Sequence, residues 1–356
     1  MALRYLAFVA LIGCARPQLF GAPIPRGCTK DVKPDNDRCV GWFLDRILTA
    51  TTVEYDDHTI RDYVASVGAK LVRASGDRRE WRFRVLDDSS VRAYSSLATT
   101  VYVSRGALAR LRSEAELAAV LGHEIAHVLA GHAHENVAQL ARTTVPEDLI
   151  ADRDDEIQAD ELAVRLASLA GYDANASETM LRALAAGDTD DPTDHHPPMP
   201  VRIARVQAFA AHFPGGTRGE AAFRTHVADL AVDDEAHVID HAIVFARARL
   251  ALELPPTRRI EIHDGHGRVE LATGTQLDVR RVSPDLAREI PARQDDAYLI
   301  RHVRGHTALV VSIEGANAAA LSRTLTIRAP TAAELALVHP QRIDFTAPRM
   351  LWPGTK

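Results

Sequence analysis

The stretch from Ser113 to Ala130 constrains this chain more than any other. Ser113-Glu114-Ala115-Glu116 places a serine three residues ahead of a glutamate, the reciprocal pattern that closes a helix N-terminus. Leu117, Leu121, Ile125 and Val128 follow at helical spacing and line one side. A capped helix with a continuous apolar stripe has to bury that stripe against other elements. Its opposite side is then free to carry chemistry.

That opposite side holds His123-Glu124-Ile125-Ala126-His127. At about 100° per residue, the two histidines sit one turn apart and roughly opposite the stripe. Both imidazoles can therefore reach one zinc ion. Glu124 projects beside the open coordination position. There a carboxylate can act as general base on water that the metal has acidified to a pKa of about 7. An H-E-x-x-H string also arises by chance; its place on a capped amphipathic helix is what gives it chemical meaning.

A third ligand has to come from elsewhere. His132 and His134 fail on helix geometry: His132, nine residues after His123, falls about 180° round the helix, and His134 lies roughly 10 Å beyond His127 along the axis. The metzincin pattern needs Gly at 130 and His at 133, where this chain has Ala130 and Ala133. A second helical stretch, from about Asp154 to Ala170 and stopped by Gly171, offers Glu156 and Asp160 on one face. This suits a carboxylate ligand with a second carboxylate accepting an N–H from a metal-bound histidine. Glu147, Asp148, Asp152, Asp154 and Asp155 read as solvated surface charge, although one of them can take the ligand's place. Glu156 alone has the Asp partner followed by a helical apolar run. The expected centre is one zinc per chain on His123, His127 and Glu156.

The N-terminus is organised differently. Arg4 precedes the short apolar run Tyr5–Ile12 and then Gly13-Cys14, which reads as a secretory signal too short to span a membrane. Leu11-Ile12-Gly13-Cys14 also resembles a bacterial lipobox, with Cys14 as the lipidated residue. Of the three cysteines, Cys28 and Cys39 then remain as an even pair in an oxidising compartment. A disulfide closing that loop would stabilise by about 2–3 kcal/mol. The net charge of -6 argues against a nucleic-acid partner. No later stretch has the roughly 20 consecutive apolar residues of a membrane-spanning helix.

At 356 residues the chain has room for two domains. Residues 1–14 read as the signal and lipobox, and 15–40, rich in Pro, Gly and charge, as a tether. Residues 41–235 read as the zinc domain. It has a helix around Thr59–Leu71, a strand at Trp81–Leu86, two short strands within Val91–Val103, and a helix from Val201 to Phe213. Residues 236–356 break into short β-like runs separated by Gly and Pro, with His237–Leu254 open between helix and hairpin. The expected fold class is α+β, an active-site helix on a small sheet followed by a mostly β module.

Taken together, several of these stretches resemble a known family. They are His123–His132, Glu156-x-x-Ala159-Asp160 with Gly171-Tyr172-Asp173, Trp81–Val85 and Val101–Gly106. They are similar to the HtpX, BepA and CAAX-prenyl-protease family of gluzincin metallopeptidases, over about Asp56 to Val206. The lack of further membrane spans resembles the soluble periplasmic BepA- and LoiP-like branch. The resemblance implies a zinc metalloendopeptidase acting on misfolded or unfolded envelope proteins. It also implies a periplasmic location, with the membrane reached only through an outer-membrane lipid anchor at Cys14. By the same resemblance, His196 of His196-Pro197 faces the zinc, to stabilise an oxyanion or latch the metal, and Arg202 stands behind the site or forms a structural ion pair.

There are departures. Arg92-Ala93-Tyr94 and Leu97-Ala98-Thr99 stand where the family has Asn-Ala-Phe and Pro-Gly-Gly, and the segment between His127 and Glu156 is short. The altered edge strand motivates a second reading, an envelope chaperone or scaffold that keeps the fold but cleaves little.

Overall fold

The computed structural model describes residues 18–19, 22–23, 39, 42, 45–46, 52–96, 99–132, 153–185, 197–232, 236–263, 265–294, 297–305, 307–338 and 341–346. Within the segment read as a tether, Gln18–Leu19 (β1) pairs antiparallel with Ala22–Pro23 (β2). Cys39 is disulfide-bonded. Cys14 and Cys28 lie outside the described residues.

The chain divides into two compact units, one of residues 31–45, 54–232 and 342–356, the other of 1–30, 46–53 and 233–341. The first begins with α1 (His58–Ser75), capped by Asp57, whose carboxylate accepts from the Ile60 N–H, and stopped by left-handed Gly76. Ile60, Val64, Val67 and Leu71 are all buried, as their spacing predicts. A three-stranded sheet follows. β3 (Arg82–Leu86) runs parallel to β5 (Thr100–Ser104), and β4 (Ala93–Ser95) pairs antiparallel with β5 as the edge strand. β5 is buried throughout, as befits the central strand.

A short helix, α2 (Arg105–Arg110), turns the chain from the sheet into α3 (Glu114–Ala130). Gly106 makes that turn possible. A Cβ there would overlap the carbonyl oxygens of Ser89 and Ser90, backbone atoms that cannot swing aside. Gly106→Ala should therefore cost at least about 1–3 kcal/mol by overpacking, read as a lowered urea midpoint with an unchanged slope.

Ser113 caps α3 as expected, its Oγ accepting from the Glu116 N–H. The reciprocal arm differs from the capping-box expectation. The Glu116 carboxylate accepts from the Arg112 N–H, one residue earlier, and from the Thr179 hydroxyl. The stripe of Leu117, Leu121, Ile125 and Val128 is buried, but so are Ala118, Ala119, Gly122 and Ala126. The histidine side of the helix is thus covered as well as the stripe. Small residues allow this. A Cβ on Gly122 would sit 3.5 Å from the Cα of Ala163, so α4 (Arg153–Leu169) packs closely along α3.

The unit closes with α5 (Ala176–Leu184), α6 (Met199–Ala210) and α7 (Glu220–Val227). α6 starts two residues before the predicted Val201 and stops three before Phe213.

The second unit is sheet-rich. Its strands are β6 (Ala236–Ile239), β7 (Ala242–Phe245), β8 (Leu250–Glu253), β9 (Thr257–His263), β10 (His266–Leu271), β11 (Gln276–Val282), β12 (Arg293–Gln294), β13 (Ala297–Arg304), β14 (Thr307–Glu314) and β15 (Ile327–Arg328). They form a four-stranded sheet in the order β15-β8-β7-β6 and a six-stranded sheet in the order β12-β13-β14-β11-β10-β9, each antiparallel. Residues 237–254 are therefore hairpins, the first turned at Asp240 in a left-handed conformation. Ile243, Phe245, Leu250 and Leu252 of one sheet share a core with Val269, Val279, Leu309, Val311 and Ile313 of the other. The sheets pack face to face. Three short helices complete the unit: α8 (Pro284–Glu289), α9 (Ala318–Thr324) and α10 (Ala332–Leu337). Thr324 ends α9, and the strand that follows is confined to Ile327–Arg328. The described helices and sheets make the protein α+β, with a sheet-rich C-terminal module. No helix among the described residues is long and apolar enough to cross a membrane.

Candidate metal centre

The close packing of α4 on α3 determines what faces His123 and His127. Their Nε2 atoms lie 3.0 Å apart. Glu156, 4% exposed on the first turn of α4, brings Oε2 to 3.5 Å from the His123 nitrogen and Oε1 to 3.3 Å from the His127 nitrogen. These three residues form the group of potential metal ligands found among the described residues, each offering a donor atom within 4.8 Å of the others.

The donor set fits zinc. With bonds of about 2.0–2.1 Å, the corners of a tetrahedral shell lie roughly 3.3 Å apart. The observed separations of 3.0, 3.3 and 3.5 Å straddle that edge. The local charge fits as well. Glu124, Glu156 and Asp160 face a single guanidinium, that of Arg202. With neutral imidazoles, this leaves two negative charges for a divalent cation to offset.

Behind these potential ligands lies a buried charge network. The Asp160 carboxylate comes within 3.0 Å of His123 Nδ1 through Oδ1. It also accepts two hydrogen bonds of 2.8 Å from Arg202, a bidentate pair. Arg202 extends a further nitrogen to 3.2 Å from Glu156. Burial opposes the imidazolium of His123, but the hydrogen bonds it donates to the Asp160 and Glu156 carboxylates outweigh it and push its pKa up to about 10. The Nε2 proton of that imidazolium and a metal on Nε2 exclude one another, whereas an Nδ1–H facing Asp160 is compatible with the metal. Burial also works to raise the Asp160 carboxyl, and Arg202 and His123 overcome it to hold that pKa below the ordinary range. Glu124 is buried at 8% exposure, and among the described residues its carboxylate accepts no hydrogen bond.

Of the residues singled out in the sequence, the structure brings together His123, Glu124, His127, Glu156, Asp160 and Arg202. His196 lies outside the described residues, as do Glu147, Asp148 and Asp152. Sequence reasoning missed the place of His132. Its Nδ1 lies 3.0 Å from His127 Nδ1, and its Nε2 lies 2.7 Å from Gln158 Oε1 and 3.5 Å from Asp155 Oδ1. The 180° displacement assumed that the helix continues. It stops at Ala130, and Gly131, left-handed at φ 84°, turns the chain back. A glycine directly after the last apolar position is the signal that could have shown this.

An H-E-x-x-H helix on a small sheet, faced by a glutamate from the next long helix, is the arrangement of zinc metallopeptidases of the gluzincin kind. Residues 59–147 match the model of Peptidase family M48, which covers His123, Glu124 and His127 but stops short of Glu156. The family resemblance read from the sequence is thus shown, and the enzyme class it supports is a metalloprotease hydrolase. The chain is 25% identical over 184 residues to a Vibrio cholerae protein described as "Putative beta-barrel assembly-enhancing protease", covering 42% of this chain and 38% of that one. It is 28% identical over 154 residues to the mitochondrial metalloendopeptidase OMA1 of Schizosaccharomyces pombe, covering 37% and 46%. It is also 29% identical over 125 residues to the OMA1 of Arabidopsis thaliana, covering 29% and 26%. The chain therefore spans less than half the length of each of these relatives.

Proposed function

We propose that this protein is a zinc-dependent metalloendopeptidase of the bacterial cell envelope that hydrolyses misfolded or unfolded envelope proteins. The observation that carries the reading is the convergence of His123 Nε2, His127 Nε2 and the Glu156 carboxylate on one point. Bound there, zinc supplies a Lewis acid that lowers the pKa of water to about 7 and polarises a peptide carbonyl. Glu124 takes the proton of the attacking water and returns it to the leaving amine. Asp160 holds the ring of His123, and Arg202 neutralises Asp160 from behind. His196 belongs to this reading as an oxyanion-stabilising or latching group.

A peptide substrate would add to the sheet at β4, whose outer edge has no strand beside it among the described residues. Tyr94 on that strand stacks on Tyr102, ring centroids 5.0 Å apart, which steadies the edge. The reading takes residues 41–235 as the peptidase domain and 236–356 as a β-rich module, although 46–53 group with the sheet-rich unit and 342–356 with the helical one. Export, a Cys28–Cys39 disulfide and a lipid anchor at Cys14 complete the reading. The named relative from Vibrio cholerae supports an envelope setting for the substrates.

The test is zinc content of the purified full chain beside Glu156→Ala, with cleavage of a denatured protein before and after chelation. The reading expects one zinc per wild-type chain, cleavage that a chelator stops and added zinc restores, and a Glu156→Ala variant that loses the metal. Undiminished zinc in that variant would move the third ligand to another acid. A metal-free, inert wild-type protein would overturn the reading.

A further inference from the structure

We propose that His132 is a positioning residue that fixes the proton and the orientation of the His127 ring, and so sets how tightly the metal is held. The inference rests on the zinc reading above and adds a residue to it. The geometry leaves a single proton arrangement. His127 directs Nε2 at His123 and Glu156, 3.0 and 3.3 Å away. A metal there takes the Nε2 lone pair, so a neutral His127 carries its proton on Nδ1. That Nδ1 lies 3.0 Å from His132 Nδ1, which must then accept. His132 is left with its proton on Nε2, and this points at the Gln158 amide oxygen 2.7 Å away, with Asp155 at 3.5 Å. The chain of donors runs in one direction, from ligand to spacer to acceptor.

The two ligands are thus held by the same device in different forms. His123 leans directly on a carboxylate, Asp160, and His127 on a second imidazole. Partners of this kind fix the tautomer and ring orientation of metal-binding histidines, and losing one typically weakens metal affinity about 10–100-fold. The backbone is built for it. Gly131, with its N–H bonded to the His127 carbonyl, ends the helix, and the next residue folds back beneath the ligand at 5% exposure. Gln158 is exposed, so water can replace it, and the contribution sits at His132 itself.

The test compares zinc dissociation constants, from chelator competition, in wild type, His132→Phe and His132→Asn. Phe fills the space without an acceptor, and Asn keeps an acceptor oxygen near the Nδ1 position. His132→Phe is expected to bind zinc about 10–100-fold more weakly. His132→Asn should stay within a few-fold of wild type. In cobalt-substituted protein the visible bands should shift in the Phe variant and be largely restored in Asn. Imidazole nitrogen NMR of the zinc-loaded wild type, which needs no variant, should show Nδ1–H at His127 and Nε2–H at His132. Wild-type affinity in folded His132→Phe, or the opposite tautomer at His132, overturns the proposal. If Asn binds zinc as weakly as Phe, the acceptor role falls. If the wild type takes up no zinc, the zinc reading itself fails and this inference falls with it.

Discussion

Glu124→Gln should leave zinc bound at the wild-type level and lower the cleavage of a denatured protein by roughly 10²–10⁴-fold, the usual contribution of a positioned general base. The substitution isolates proton transfer. Gln occupies the volume of Glu, so the 8% exposure of the site and the packing of α3 are preserved. What disappears is a basic oxygen on a side chain that no described group hydrogen-bonds. One negative charge near Arg202 also goes, but Asp160 and Glu156 still neutralise that guanidinium. The measurement pairs initial cleavage rates with metal content from the same preparations. Full zinc with unchanged cleavage would sink the base assignment. Full zinc with no cleavage in either protein, together with suppression of substrate aggregation, would favour the chaperone reading.

What the sequence could and could not reveal follows from how far each signal reaches. His123 and His127 are local: a 3.6-residue period and a cap put them on one face whatever the tertiary fold. Glu156 was legible at one remove, because Asp160 one turn later marks a face with two acids. That this face meets the histidines depends on Gly122 and Ala163 allowing close approach, which periodicity does not encode. The covered histidine side of α3 was misjudged for the same reason, since alanines score as neutral on a helical wheel yet pack as interior when two helices touch. His132 was misplaced by a single αL residue. Gln276–Val282 gives only a weak strand signal in the sequence, because Asp278 and Arg280 interrupt its apolar residues. In the sheet they alternate to the side away from the shared core, where Asp278 pairs with His266 and Arg280.

Arg202→Leu should destabilise the first unit by about 3–5 kcal/mol, the cost of removing one partner from a buried ion pair. The size follows from what remains. Asp160 and Glu156 are 3% and 4% exposed, and Arg202, at 7%, supplies both guanidinium bonds to the one and a close contact to the other. Without it two buried carboxylates are left in the metal-free protein with only the ring of His123 between them. Loss of 3–5 kcal/mol is a large share of the roughly 5–15 kcal/mol that holds a domain together, so unfolding should be followed in urea from low concentration upward. Arg202→Lys should recover only part of the loss, since an ammonium cannot make the bidentate pair. The decisive comparison is the double variant Asp160→Asn with Arg202→Leu. If the cost is the stranded charge, neutralising Asp160 in the Leu background should restore stability even though it removes another polar group. If the double variant is less stable than Arg202→Leu alone, the guanidinium acts by packing, and its placement behind the metal centre is not an electrostatic one. Zinc sharpens the contrast. A divalent cation offsets the same two carboxylates, so the loaded Arg202→Leu protein should lose less stability than the metal-free one, by a margin that shrinks when a chelator is added.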